Sequence, residues 1–160
     1  MKIHIRPLNP QEAPVLEEFL YQAIFVPAGR QPPPREILQE PELRVYVEGF
    51  GTRPDDYALA AEADGKIVGA VWARIMDDYG HVDGETPSLA ISLLPECRGQ
   101  GAGTALMKAM LTLLREHGYR QASLAVQKAN YAVKLYRNVG FRTVDENAQE
   151  YIMVNRLLEK

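Results

Sequence analysis

The chain has 160 residues, enough for one domain over residues 1–160 to bury a sizeable core, and 46% apolar against 24% charged residues argues against disorder. Its net charge of −3 gives no electrostatic reason to expect nucleic acid, which needs a clustered basic surface. The single cysteine, Cys97, excludes an internal disulfide, and His4, His81 and His117 are too scattered to suggest a metal.

The opening "MKIHIRPLN" lacks the apolar core of a secretion signal, and no apolar run approaches the ~20 residues that span a bilayer. The expectation is a cytoplasmic protein with no membrane contact. Lys2 to Arg6 alternates as a short strand. Asn9, Pro10 and Glu12 then supply an N-cap, a first-turn proline and an N3 acid, so a helix is predicted. Its buried face would carry Val15, Leu16, Phe19, Leu20, Ala23 and Ile24, as far as Pro27. The Pro-rich stretch that follows predicts two short helical pieces, separated near Pro41 and ended by Gly49.

Tyr57 to Glu62 and Lys66 to Met76 read as a hairpin around Asp64 and Gly65. Asp77 to Thr86 reads as a polar loop. Ser88 to Leu94 is a nearly continuous apolar run between two prolines, the pattern of a strand covered on both faces. Ala105, Leu106, Ala109, Met110, Leu113 and Leu114 mark an amphipathic helix closed by His117 and Gly118. Gln121 to Gln127 should run parallel to the strand before that helix, a βαβ unit. Asn130 to Asn138 predicts a short helix ended by Gly140. Phe141 to Asp145 and Glu150 to Arg156 then make a closing hairpin. The sum is an α/β domain of seven strands in three layers.

Between the Ser88 strand and the long helix stands "RGQGAG", Arg98 to Gly103. A helix begins with unpaired N–H groups and a positive dipole end, so a glycine-lined entry lets phosphate oxygens reach several donors at once. The segment is neither a P-loop, for no lysine precedes Thr104, nor a dinucleotide fingerprint, for Leu106 stands where a third glycine would. A tight turn alone would also account for glycines there.

The stretch "LAISLLPECRGQGAGTALMKAML", followed by "NYAVKLYRNVGF", resembles the GNAT superfamily of N-acetyltransferases over about Leu89 to Phe141. Arg98, Gly101 and Gly103 meet its Arg-x-x-Gly-x-Gly loop; Leu135, Tyr136, Gly140 and Phe141 meet its downstream motif. The resemblance implies a mixed, mostly antiparallel seven-stranded sheet with a splayed central parallel pair. It implies acetyl-CoA as cosubstrate, with pyrophosphate on the backbone of Arg98, Gly99, Gln100, Gly101, Ala102, Gly103 and Thr104. The pantetheine arm would lie along Ile91, Ser92 and Leu93, where a β-bulge would account for the splay.

Acetyl transfer to an amine needs a neutral amine, a polarised carbonyl and a proton for the departing thiolate. Tyr136 matches the family's proton donor, yet it also shares a helical stripe with Ala132, Leu135 and Val139, and packing and donation can coexist. Asn130 stands six residues before Tyr136 rather than the family's seven, which leaves cofactor contact and helix capping both open. The strand from Ser88 to Leu94 carries no carboxylate where relatives often place a base, and His81, Asp83 and Glu85 lie just upstream. Cys97 receives no chemical role. The acceptor would be a small-molecule amine or a protein amino group, walled by Ile24 to Asp56 including Tyr46, Phe50 and Arg53. Similar folds often form homodimers. A non-catalytic acyl-CoA-binding module and a purely structural protein are the rival readings.

Overall fold

The computed structural model describes residues 2–158. Seven strands, β1 (His4–Pro7), β2 (Tyr57–Ala63), β3 (Lys66–Arg74), β4 (Ser88–Leu93), β5 (Gln121–Gln127), β6 (Arg142–Glu146) and β7 (Glu150–Arg156), form one sheet in the order β1-β2-β3-β4-β5-β7-β6. Every neighbouring pair is antiparallel except the central β4 and β5, which run parallel. Four helices, α1 (Leu16–Ala23), α2 (Pro41–Arg44), α3 (Ala102–Glu116) and α4 (Ala132–Asn138), complete the α/β arrangement.

Strand alternation sends successive side chains of β3 to opposite faces. Val71 and Ala73 join Leu106, Met107, Met110 and Leu114 of α3 in one apolar cluster. Ala70 and Trp72 join Leu16, Phe19 and Leu20 of α1, with Leu38 and Val47, in another. The sheet is thus the middle of three layers, and burying each such side chain contributes roughly 1.5–3 kcal/mol. Asp64 and Gly65, at φ +53° and +77°, make the β2–β3 turn, the pair of left-handed residues that matches strand twist.

Several details differ from the sequence reading, and three bear on the site. The helix expected from Asn9 begins as a 3₁₀ stretch, Pro10–Val15, and becomes α-helical only at Leu16. Pro14 lies inside the first part and has no N–H for the ladder. β3 ends at Arg74 rather than Met76, because Met76 already belongs to the loop that crosses to β4. No bulge interrupts β4: its register with β3 is unbroken from Ser88↔Arg74 to Leu93↔Gly69.

The Pro-rich segment folds as a 3₁₀ turn, Arg35–Gln39, and α2, with further turns to residue 55. Its anchor is Arg74. The guanidinium, with no exposed surface, gives Nε and Nη2 to the two Asp56 carboxylate oxygens at 2.9 and 3.0 Å. Nη1 donates to the Val45 and Glu48 carbonyls at 3.1 and 2.7 Å. Trp72 Nε1 adds a bond to the Tyr46 carbonyl at 3.1 Å. Burial opposes the Asp56 charge, but Arg74 and the N–H groups of Gly51 and Arg53 outweigh it and hold the carboxyl below its ordinary value.

Candidate active site

β4 and β5 share a single bridge, Ser88↔Ser123. Beyond it the strands separate. Leu94 N–H donates to the Val68 carbonyl at 2.8 Å on the β3 side. Because antiparallel ladder bonds alternate, Ser92 and Ala90 also turn their backbone groups towards β3, while Ile91 and Leu93 turn theirs towards the gap. A chain carrying amides could therefore pair with β4 as a strand would.

The gap opens into a cleft of about 650 Å³. Of the residues that the sequence nominates, Ile91, Ser92, Leu93, Arg98, Gly99, Gly101, Gly103, Thr104, Asn130 and Tyr136 line it, together with Tyr21 to Val26, Leu135 and others. Two nominated residues stand apart. Ala102 is buried in the core, and Gln100 turns its amide to the Glu96 carbonyl at 3.3 Å.

At the cleft floor, α3 begins. Its first ladder bond runs from Ala105 N–H to the Gly101 carbonyl at 3.1 Å, so the N–H groups of Ala102, Gly103 and Thr104 precede the ladder and have no helical acceptor. Gly101 sits at φ +88°, a conformation that only glycine adopts cheaply. Gly103 is different: a Cβ there would meet Leu135 Cδ1 at 3.5 Å, an ordinary contact. Turn geometry accounts for Gly101 but leaves Gly103 unexplained by the protein's own packing.

Arg98 spends its side chain on the fold. Nε donates to the Leu93 carbonyl, and Nη2 donates to the Gln22 carbonyl and Oε1, all at 3.2 Å. It therefore ties the loop to α1 and the end of β4. Asn130 lies before α4 rather than within it, and its Oδ1 accepts from Ala132 N–H at 2.9 Å. That places it as a cap-like support on the cleft wall.

Tyr136 packs its ring against Phe141, centroids 6.0 Å apart and tilted 66°, and the residue borders the cleft. Burial, with a lesser effect from Tyr131, pushes its phenol up to about 12. It is thus fully protonated at neutral pH, a donor and not a base.

A carboxylate that the sequence reading passed over sits at the closed end of the gap. Asp78 Oδ1 accepts from Ser88 Oγ at 2.8 Å, and Ser88 Oγ lies 3.3 Å from Ser123 Oγ. Ser123 Oγ donates to the Gly80 carbonyl at 2.7 Å. Gly80 rests directly on β5, where a Cβ would come within 2.9 Å of Ala125 N. A loop that reads as merely polar is therefore a plug on the β4–β5 fork. Its only advance signals are two serines at strand positions and an adjacent Asp–Tyr–Gly.

The upstream candidates do not share this place. His81 Nδ1 is 2.9 Å from the Met76 carbonyl. Asp83 and Glu85 border a second cavity of about 700 Å³, with Asp55, Tyr119, Arg120 and Arg156, beyond the carboxyl end of α3. Of the expected acceptor wall, Tyr46 faces Asp78, Phe50 lies under the Arg74 guanidinium at 5.1 Å, and Arg53 bonds the Ile75 carbonyl at 3.2 Å. Among the described residues no helix is long and apolar enough to cross a membrane.

A family model, that of the GNAT acetyltransferases, matches residues 20–141. The chain belongs to the GNAT acetyltransferase family. Among curated relatives, a mycothiol acetyltransferase of Pseudarthrobacter chlorophenolicus is 26% identical over 144 residues, covering 89% of this chain and 43% of that one. The chain thus spans less than half the length of the mycothiol acetyltransferases it matches. Among solved structures, the ribosomal-protein-S18-alanine N-acetyltransferase of Escherichia coli superposes with a TM-score of 0.70 at 18% identity, covering 99% of this chain and 96% of that one. A PaiA N-acetyltransferase of Thermoplasma acidophilum, solved with coenzyme A, gives 0.69 at 20% identity, covering 98% and 99%. At such identities the likeness shows a common GNAT fold, including the parallel pair at its centre.

Proposed function

We propose that the protein transfers the acetyl group of acetyl-CoA to a primary amine by direct attack, without a covalent enzyme intermediate. The observation that carries this reading is the cleft itself. Unpaired N–H groups of Gly103 and Thr104, the gap-facing edge of β4 at Ile91 and Leu93, and the Tyr136 side chain all border one cavity. The chemistry follows from that order. The pyrophosphate lies on the α3 amino terminus, where amides and helix dipole favour negative charge. The pantetheine amides pair with β4, and a β4 N–H that faces the gap polarises the thioester oxygen.

Tyr136 then protonates the departing thiolate. Its phenol, raised by burial, carries its proton at neutral pH, so it enters the step as a donor. Arg98 acts through position: it fixes the loop against Gln22 and Leu93.

The acceptor is a small-molecule amine or a protein amino group. Mycothiol and ribosomal-protein acetyltransferases both occur among the similar proteins, and the range of their names keeps the class broad. The absence of a carboxylate from β4 favours, as a second reading, an acyl-CoA-binding module without turnover. A panel of alkylamines, amino acids, aminoglycosides and peptide amino termini, assayed for CoA-thiol release, separates the two. Turnover of any amine establishes transfer; tight acetyl-CoA binding with none turned over establishes the module. Absence of acetyl-CoA binding at millimolar concentration contradicts both.

A further inference from the structure

Asp78 is a half-buried carboxylate that no part of the fold requires to be charged. No basic side chain pairs with it among the described ion pairs. Oδ1 accepts from Ser88 Oγ, Oδ2 is shielded from solvent and lacks a partner at ordinary hydrogen-bond geometry, and the Tyr46 phenol and the Gly80 N–H also approach the carboxylate. Shielding part of a carboxylate from water costs stability, and a serine or asparagine could have held Ser88 in its place.

Its location gives the cost a purpose. Ser88 is the last β4 residue still bridged to β5, and the loop carrying Asp78 closes the fork by seating Gly80 on Leu124 and Ala125. From Leu93, beside the glycine loop, back to Ser88 is five residues, about 17 Å of strand. That span is comparable with an extended pantetheine arm, so a thioester anchored by its pyrophosphate at α3 points towards this end of the gap.

We propose that Asp78 takes the proton from the incoming ammonium, directly or through one water, and so delivers the neutral amine to the thioester. This rests on the acetyl-transfer reading above. The steps balance as follows. The ammonium gives one proton to Asp78, and the amine nitrogen bonds to the acetyl carbon. The C–S bond then breaks, and Tyr136 protonates the thiolate. The new amide nitrogen returns a proton to Tyr136, and Asp78 releases its own to solvent. CoA thiol, the amide and one solvent proton result.

The surroundings suit a base. Burial raises the Asp78 carboxyl above its ordinary value, against the lowering effect of Ser88, of Tyr46 and of the N–H groups of Gly80 and Asp78 itself. A base whose pKa approaches the working pH removes a proton from ammonium more effectively. The groups around it are the Tyr46 phenol, itself raised by burial and by Asp78, with Tyr79 and Glu150 acting on Tyr46. Glu42 acts in turn on Tyr79, and His81 occupies the same loop. Glu42, Asp78 and Glu150 are acidic, a setting that favours a cationic acceptor over an anionic one.

The test uses the best amine from the CoA-release panel, with Asp78→Asn, an isosteric change. The expected result is a fall of about 100-fold or more in kcat/KM for the amine at pH 7, with acetyl-CoA affinity and melting temperature unchanged. The deficit should shrink by about tenfold per pH unit as the pH climbs towards the amine's own pKa, because solvent then supplies the neutral form. Unchanged turnover in a folded Asp78→Asn that binds acetyl-CoA, or a deficit that pH does not relieve, overturns the role of Asp78 and leaves acetyl transfer standing. Should Asp78→Asn unfold, Ser88→Ala decides. Removing a hydrogen bond to the charged form must move the acidic limb of the wild-type pH profile upward, and an unmoved limb overturns the assignment. A wild-type chain that binds no acetyl-CoA fails the functional reading itself.

Discussion

The two ends of α3 face cavities of similar size, about 650 Å³ at its amino end and 700 Å³ beyond its carboxyl end, and they differ in what they offer. The first presents free N–H groups, a bare Gly103 and apolar walls. The second presents Asp55, Asp83 and Glu85 beside Arg120 and Arg156, next to the negative end of the dipole. Size does not separate them; the direction of the helix does. On the proposed reading a diphosphate would lie at the first, and the second is expected to matter for stability rather than for binding.

The sharpest contrast comes from changes at the first end. Tyr136→Phe should lower kcat by about 100-fold while acetyl-CoA affinity, read by calorimetry, stays within about twofold, because the ring keeps its place against Phe141. A kcat that does not fall would reduce Tyr136 to packing. Gly103→Glu should weaken acetyl-CoA by about 100-fold, since a carboxylate in the cleft meets like charge at a cost of several kcal/mol. Its melting temperature should hold, as an acid in the first helical turn suits the dipole.

At the other end the effect should appear as stability. Asp55 donates nothing to the cleft: its carboxylate accepts from the Tyr119 hydroxyl. Its neighbour Asp56 holds Arg74, with both side chains fully buried. Asp56→Asn leaves a buried guanidinium short of its partner and should cost about 3 kcal/mol, with acetyl-CoA affinity unmoved. The sign with pH is fixed by the lowered Asp56 carboxyl. Its contribution is present above the unfolded value of about 3.9 and is lost as pH falls through the folded value. Melting curves across pH 6 to 2 should therefore fall less steeply for Asp56→Asn than for wild type.

Smaller effects refine the comparison. Gly103→Ala should raise stability by about 0.8 kcal/mol, the helix-propensity gain, because its Cβ has room at 3.5 Å from Leu135. It should also weaken acetyl-CoA by a few-fold, for the methyl group enters the space above the amides. A variant both more stable and tighter-binding would contradict the reserved space. Smallest of all, the double change Asp83→Asn with Glu85→Gln should alter kcat/KM by less than about twofold.

The comparison also explains what the sequence made visible. Alternation, a continuous apolar run between prolines, the βαβ crossover and turn residues together pointed to the seven strands, and period-3.6 spacing to α3, whose apolar face a core must cover; β6, with every residue exposed, was legible only as the partner in a closing hairpin. The loop at Arg98 to Gly103 was legible because positive φ and close approach restrict residue choice. Asp78 was not, since a carboxylate in a polar loop looks solvated until Gly80 is seen resting on β5. Arg74 was hidden likewise: an arginine ending a strand gives no sign that Asp56 and two carbonyls wait for it. The expected bulge failed for a related reason. The splay arises where the β5 partner departs after Ser123, not from a defect in β4, and pairing between distant strands leaves no local trace.

A crystal structure with coenzyme A bears most directly on the account. It should place phosphate oxygens at about 2.7–3.2 Å from the N–H groups of Gly103 and Thr104, with the thiol end directed along β4 towards Ser88. Coenzyme A lodged instead beside Asp55 and Arg120, or those amides left without phosphate, would contradict it.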